Sequence, residues 1–209
     1  RQYTAVFGPI PIDGFEIDPA IVAAGREFFA MNEPNLNVIV QDGRWGLAHS
    51  PRRYSVIGVD AYRLPYIPWH LTTKEFFEEA RAHLTDAGAL VINVGRTFED
   101  RRLVEAMVGT LQSVFPSVYV VDVPDTFNSI VYATVQPTRA GNLMDNLVQM
   151  GDGPPALLRD SLARAVANLQ PTPASDVVFT DDVAPVEQLT NSIVIRFILS
   201  GSVYQLGVR

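Results

Sequence analysis

The 209-residue sequence predicts an α/β fold in which crossover helices join the strands of a parallel sheet. Three observations predict it. Strand-like and helix-like hydrophobic patterns alternate through residues 1–135. The run Ala89-Leu90-Val91-Ile92-Asn93-Val94 is almost wholly apolar, as in a strand covered on both faces. Three predicted strands close on acids, Glu16, Asp42 and Asp60, at the end of an open α/β sheet where ligands bind.

The elements follow in order. Arg1 to Val6 has the pattern of a helix tail, and Gly14 to Ile17 that of a short strand. Asp18 is a helix N-cap with Pro19 at the first helical position, and Ile21, Val22, Gly25, Phe28 and Phe29 repeat at helical spacing. Leu36 to Val40 is a second strand, closed by Gln41-Asp42-Gly43, and Tyr54 to Val59 a third. Thr72 with Glu75 three residues on reads as a capping box, followed by the stripe Phe76, Phe77, Ala80 and Leu84. After the apolar strand, Thr97 to Asp100 caps a helix through Leu103, Val104, Met107 and Leu111. Val118 to Val123 and Ser129 to Val135 read as an antiparallel pair at the sheet edge. Beyond Pro137, residues 141–170 are helical with a break at 151–155, residues 171–176 form a linker, and a last helical segment begins near Asp181. Two units result: 1–138, the sheet domain, and 139–209, a C-terminal helical extension.

Composition excludes several chemistries. With 47% hydrophobic and 19% charged residues the chain has material for a core and lacks the signature of disorder. The absence of cysteine removes disulfides, zinc–thiolate sites, iron–sulfur clusters and thiol nucleophiles. The three histidines, His49, His70 and His83, are dispersed, which argues against a histidine-rich metal site. A net charge of −7 argues against nucleic acid as a partner and favours cationic small molecules. No apolar run approaches the ~20 residues of a membrane span. The stretch Ile193 to Leu199 reads as a strand or a buried helix end. The chain opens on Arg1 without methionine or a secretory leader and reads as a fragment; without a signal, cysteines or a spanning run this portion reads as cytoplasmic, with tethering to a membrane through a missing N-terminal region as the alternative.

A strand-end acid is often only a turn former or a helix cap. Three in register favour a ligand site. A carboxylate can accept from both ribose hydroxyls, from an exocyclic adenine amine, or from a reacting group. Elsewhere the ordinary readings hold. His70, just before a helix cap, reads more readily as structural. Asp181-Asp182 complements a helix dipole, Arg101-Arg102 lies on a solvated helix face, and Phe28-Phe29 and Phe76-Phe77 belong to the core.

Glu16-Ile17-Asp18-Pro19, Asp42-Gly43-Arg44 and Tyr54 to Asp60, in that order, resemble spermidine synthase and its relatives, the polyamine aminopropyltransferases. Ile67 to Phe77 and Thr180 to Glu187 are similar to the bacterial branch of that family often fused to membrane segments. The resemblance implies a Rossmann-like, methyltransferase-type sheet. It implies no permanently bound cofactor, with S-adenosylmethionine or its decarboxylated form as co-substrate. Glu16 and Ile17 would hold the ribose side, Asp42 and Gly43 the adenine. Asp60 would be the catalytic acid that orients and deprotonates an amine acceptor. Tyr62, Arg63, Tyr66, Trp69 and His70 would surround that acceptor. The family's second acid of this loop is replaced by Arg63, which would repel a diamine. The family's first strand and glycine-rich loop have no counterpart here, which implies a missing N-terminal piece of the same protein. A homodimer is implied by resemblance alone. A methyltransferase and a non-catalytic adenosyl-ligand sensor or scaffold are the alternatives.

Overall fold

The computed structural model describes residues 1–63, 65–151 and 153–201. Leu64, Asp152 (within the break at 151–155) and the last eight residues of the 139–209 extension lie outside that description. The fold is mixed α/β, as the hydrophobic alternation requires. Helix α1 (Gln2–Phe7) leads into β1 (Ile12–Glu16). Helix α2 (Pro19–Phe28) is capped by Asp18, whose side chain accepts from the Ala20 N–H. β2 (Leu36–Val40) pairs parallel with β1 in a two-stranded sheet. Helix α3 (Gly43–Ala48) follows, capped by Asp42. It lies so close to β1 that a Cβ on Gly46 would come within 2.5 Å of the Phe15 ring.

A second, five-stranded sheet holds the core. β3 (Tyr54–Val59) pairs parallel with β4 (Leu84–Gly95), and β4 pairs antiparallel with β6 (Asn128–Thr134). β6 pairs with β5 (Ser117–Asp122), and a two-residue strand, β7 (Leu169–Gln170), covers the outer edge of β5. The antiparallel pair expected at the edge is therefore interior, because residues 169–170 return to the sheet. Helices α4 (Lys74–Ala82) and α5 (Arg102–Gln112) pack on it, with Phe76, Phe77, Met107 and Leu111 buried against Leu90, Ile92 and Val94. The C-terminal segment runs through α6 (Gly141–Met150), α7 (Ala156–Ala167) and α8 (Val186–Leu199). It adds Phe179, Val186 and Ile193 to the same buried cluster. Ile193 to Leu199 is helical.

Three local readings need correction. The cap of α4 is Thr73, which accepts from the Phe76 N–H, while the Thr72 hydroxyl turns back to the Trp69 carbonyl. Of the cap expected at Thr97 to Asp100 only Asp100 reaches α5, its Oδ1 accepting the Arg102 N–H at 3.3 Å, because the Thr97 hydroxyl accepts from the Asp100 N–H instead. Phe28 and Phe29 are not core: they are 71% and 70% exposed, since no layer covers the outer face of α2.

The division of the sheet has a further consequence. β1 bonds only to β2 along one edge, and β3 only to β4 along its opposite edge. The remaining edges of β1 and β3 face each other across a cleft lined by Gly14, Phe15 and Glu16 on one side and Val56 to Asp60 on the other. Their amino ends are tied by side chains: the Tyr54 hydroxyl donates to Asp13 at 2.9 Å, and Arg52 pairs with the same carboxylate. The two strands therefore run in the same direction, with the slot open towards their carboxyl ends. Among the described residues, no helix is long and apolar enough to cross a membrane.

The two phenylalanine pairs give a direct test. Phe77→Ala should cost about 3–5 kcal/mol by cavity formation, whereas Phe28→Ala should stay within about 0.5 kcal/mol. Urea denaturation of both variants checks this, and equal losses would contradict the burial pattern.

Candidate functional site

Parallel pairing within β1–β2 and β3–β4, with the Asp13–Tyr54 tie between the two pairs, brings the carboxyl ends of β1, β2 and β3 to one end of the molecule. The cleft between β1 and β3 has a volume of about 350 Å3 and is walled by Glu16, Gly43, Asp60, Leu47 and Leu71. Two of the three strand-end acids thus share a cleft. Glu16 is half-buried, and its Oε1 accepts the Asp18 N–H at 2.9 Å. Its Oε2 is left for another donor. Ile17 beside it is exposed. Gly43 has open space where a Cβ would project, so a flat ring can approach its backbone.

Asp42 stands at the rim, one residue before Gly43, and not in the cleft wall. Its Oδ1 accepts the Trp45 N–H at 3.0 Å, and its Oδ2 lies 2.9 Å from His70 Nε2. A carboxylate can only accept, so that imidazole nitrogen carries the proton. Burial alone would raise the Asp42 pKa. The Trp45 N–H, the His70 bond and charge, and the Arg44 N–H outweigh it and hold the carboxyl below its ordinary range.

Asp60 is exposed at the tip of β3, and its Oδ1 accepts from Asn93 Nδ2 at 2.9 Å. Asn93 comes from the neighbouring strand β4, and its own Oδ1 is buried without a partner. This fixes the amide: the nitrogen has an acceptor only in the direction of Asp60. The Tyr62 hydroxyl donates to the Asn93 carbonyl at 2.9 Å. Burial, with Asp60 nearby, pushes the Tyr62 pKa up to about 12, so the phenol stays protonated.

The structure sorts the remaining predicted residues. Tyr62 and Tyr66 pack partly against the core, and of these three aromatic residues Trp69 alone is substantially exposed, edge-on to His70. Arg63 is exposed, and its backbone exchanges bonds with Tyr66. Arg101 and Arg102 are partly exposed and also paired: Arg101 forks onto Asp122, and Arg102 binds Asp100 and Ser192. A second cleft, about 380 Å3, opens beside α5 and α8, with those two arginines among its walls.

Sequence reasoning missed Asn93 and Arg44. Asn93 was visible only as a polar residue in an apolar strand. Arg44 contacts Glu79 and Asp181, 35 and 137 positions away, and no local pattern reports such pairs.

The parallel strands, with acids at their ends beside an open cleft, define a Rossmann-like, methyltransferase-type class of α/β fold. Within that class, the spermine/spermidine synthase domain matches residues 11–145, and the chain belongs to that family. A curated relative, the "Probable polyamine aminopropyl transferase" of Bifidobacterium longum (strain NCC 2705), is 31% identical over 205 residues. That match covers 90% of this chain and 46% of the relative, so the chain spans about half of that relative's length. Among solved structures, a probable spermidine synthase from Corynebacterium glutamicum ATCC 13032 superposes with a TM-score of 0.56 at 23% identity, covering 73% of this chain and 61% of that one. Human methyltransferase-like protein 13 in complex with SAH gives 0.60 at 21% identity, covering 84% and 78%. At those identities the likeness concerns the fold.

Acid should unfold the protein through its bonded carboxylates. Asp42, Asp122 and Asp181 are all held below the ordinary value of about 3.9. Burial acts against this at Asp42 and Asp122 and is overcome by their bonds. At Asp181 the Arg44 bond is the main cause. A lowered folded pKa gives stability that is complete above the unfolded value and lost as pH falls through the folded one. Urea midpoints should therefore be level from about pH 7 to 5 and fall below about pH 4. A midpoint that rises on acidification would contradict the assignment.

Proposed function

We propose that this chain carries the nucleoside-binding and catalytic part of a polyamine aminopropyltransferase that uses decarboxylated S-adenosylmethionine. The observation that carries the reading is the shared cleft of Glu16 and Asp60, with the open backbone of Gly43 in the same wall. Family membership and the aminopropyltransferase name of the curated relative support it. The SAH in the human structure supports an adenosyl ligand for this type of fold.

Glu16 accepts from the ribose hydroxyls with the oxygen that Asp18 leaves free. Gly43 and Leu47 pack on the adenine, and Asp42 accepts from its exocyclic amine at the rim. The amine acceptor enters beside Asp60. Its neutral nitrogen attacks the aminopropyl carbon next to the sulfonium. The N–C bond forms, the C–S bond breaks, and its electron pair stays on sulfur to give methylthioadenosine. Asp60 takes the proton released by the new ammonium. The sulfonium is already an activated leaving group, so the protein supplies proximity, orientation and a base. Asn93 is the positioning residue for that base. Trp69 presents an exposed aromatic face to a cation. Arg63, on the same loop, favours an acceptor that is not a simple dication.

The facing edges of β1 and β3 support one more part of the proposal. A further strand from the remainder of the protein, parallel to both, pairs with these edges and completes the site. Activity is therefore assayed on the natural full-length protein.

Asp60→Asn should lower transfer by about 10²–10⁴-fold while methylthioadenosine affinity stays within about threefold. Asn93→Ala should lower kcat about tenfold with the donor KM unchanged. Rate assays with several amines, paired with calorimetric titration of methylthioadenosine, check both. Unchanged turnover in Asp60→Asn would remove Asp60 from the chemistry. Nucleoside binding without transfer to any amine would favour a sensor.

A further inference from the structure

The C-terminal segment crosses the sheet domain as a strap. The Phe179 N–H donates to the Thr110 hydroxyl on α5, and its carbonyl accepts the Lys74 N–H at the start of α4. The strap lies hard on α5: a Cβ on Gly109 would come 2.3 Å from the Val177 carbonyl oxygen. Two residues on, the Asp181 N–H donates to Glu75, and its Oδ1 accepts from the Thr73 hydroxyl.

Asp181 then meets Arg44, and the guanidinium there is saturated. Nε and Nη2 donate to Glu79 at 2.9 and 2.7 Å. Nη1 and Nη2 donate to Asp181 at 2.8 and 2.9 Å. The remaining Nη1 hydrogen reaches the His70 carbonyl at 3.2 Å. Five N–H groups meet five acceptors, a match that only the planar fork of arginine makes. The chain of contacts ends at the rim of the cleft. Arg44 holds the backbone of His70, and the His70 ring holds Oδ2 of Asp42. A side chain on the strap thus fixes the orientation of a carboxylate 139 positions earlier in the sequence.

We propose that Asp181 is a positioning residue for base recognition: acting through Arg44 and His70, it aims Asp42 at the exocyclic amine of the bound nucleoside. The inference rests on the nucleoside reading above. Without Asp181 two guanidinium hydrogens lose their acceptors, Arg44 turns, and the His70 carbonyl is released. Asp42 keeps its cap on Trp45 but loses the bond that sets its outer oxygen. The effect is confined to ligands that offer an amine at that point.

The test compares methylthioadenosine with methylthioinosine, whose carbonyl replaces the amine, by calorimetric titration of the natural full-length protein. Wild type should prefer methylthioadenosine by about tenfold or more, the size of one bond to a charged group. Asp181→Asn should bring the preference below about threefold while methylthioinosine affinity changes less than about twofold. Asp181→Glu should restore part of it. Should Asp181→Asn not fold, Arg44→Lys carries the same test, because lysine keeps the charge and loses the fork. An undiminished preference, or equal losses for both nucleosides, would overturn the positioning role and leave the nucleoside reading intact. A wild type that binds both equally would overturn the amine contact of Asp42 and the role of Asp181 with it, and one that binds neither would overturn the nucleoside reading itself.

Discussion

Parallel strand pairing is the constraint on which the rest of the structure depends. β1 with β2 and β3 with β4 run in common directions, and the tie of Asp13 to Tyr54 and Arg52 aligns the two pairs, so their terminal residues collect at one end. That end receives Glu16, Gly43 and Asp60 on one cleft and Asp42 at its rim. None of these residues is close to another in sequence beyond the Asp42–Gly43 step. Shared strand polarity, and not local sequence, is what makes a site of them.

The same polarity explains the slot. Two parallel strands with facing, unbonded edges leave backbone donors and acceptors without sheet partners on both sides. The protein ties the amino ends of these strands with Asp13, Arg52 and Tyr54, and burial at Asp13 is outweighed by bonds from Asn37, Tyr54 and Arg52 that lower its pKa. Among the described residues the carboxyl ends have no such tie. Around the cleft the polar groups are specific in direction: Asn93 faces Asp60 with its amide nitrogen, and His70 faces Asp42 with a protonated ring nitrogen.

Much of this was legible in the residues. Asp18-Pro19 placed the start of α2, and the alternation of apolar runs placed β1 to β4, because caps and buried strands leave local marks. At the start of α5 only Asp100 serves as the expected cap, since the Thr97 hydroxyl bonds to the Asp100 N–H and not to the helix. Phe28 and Phe29 were misread because helical spacing reports an apolar face and says nothing of what covers it. The strand-end acids were found by their position. Their partners Asn93, Arg44 and Asp181 were not, because each acts across tertiary distance. Arg101 was taken for a solvated residue although it forks onto Asp122, a partner 21 positions away.

A structure of the full-length protein with methylthioadenosine tests the central claim most directly. The account predicts the nucleoside across the carboxyl ends of β1 and β3, with a ribose hydroxyl about 2.5–3.0 Å from Glu16 and the sulfur facing Asp60. A nucleoside seated elsewhere, or one that leaves Glu16 bonded only to its own Asp18 N–H, would contradict it.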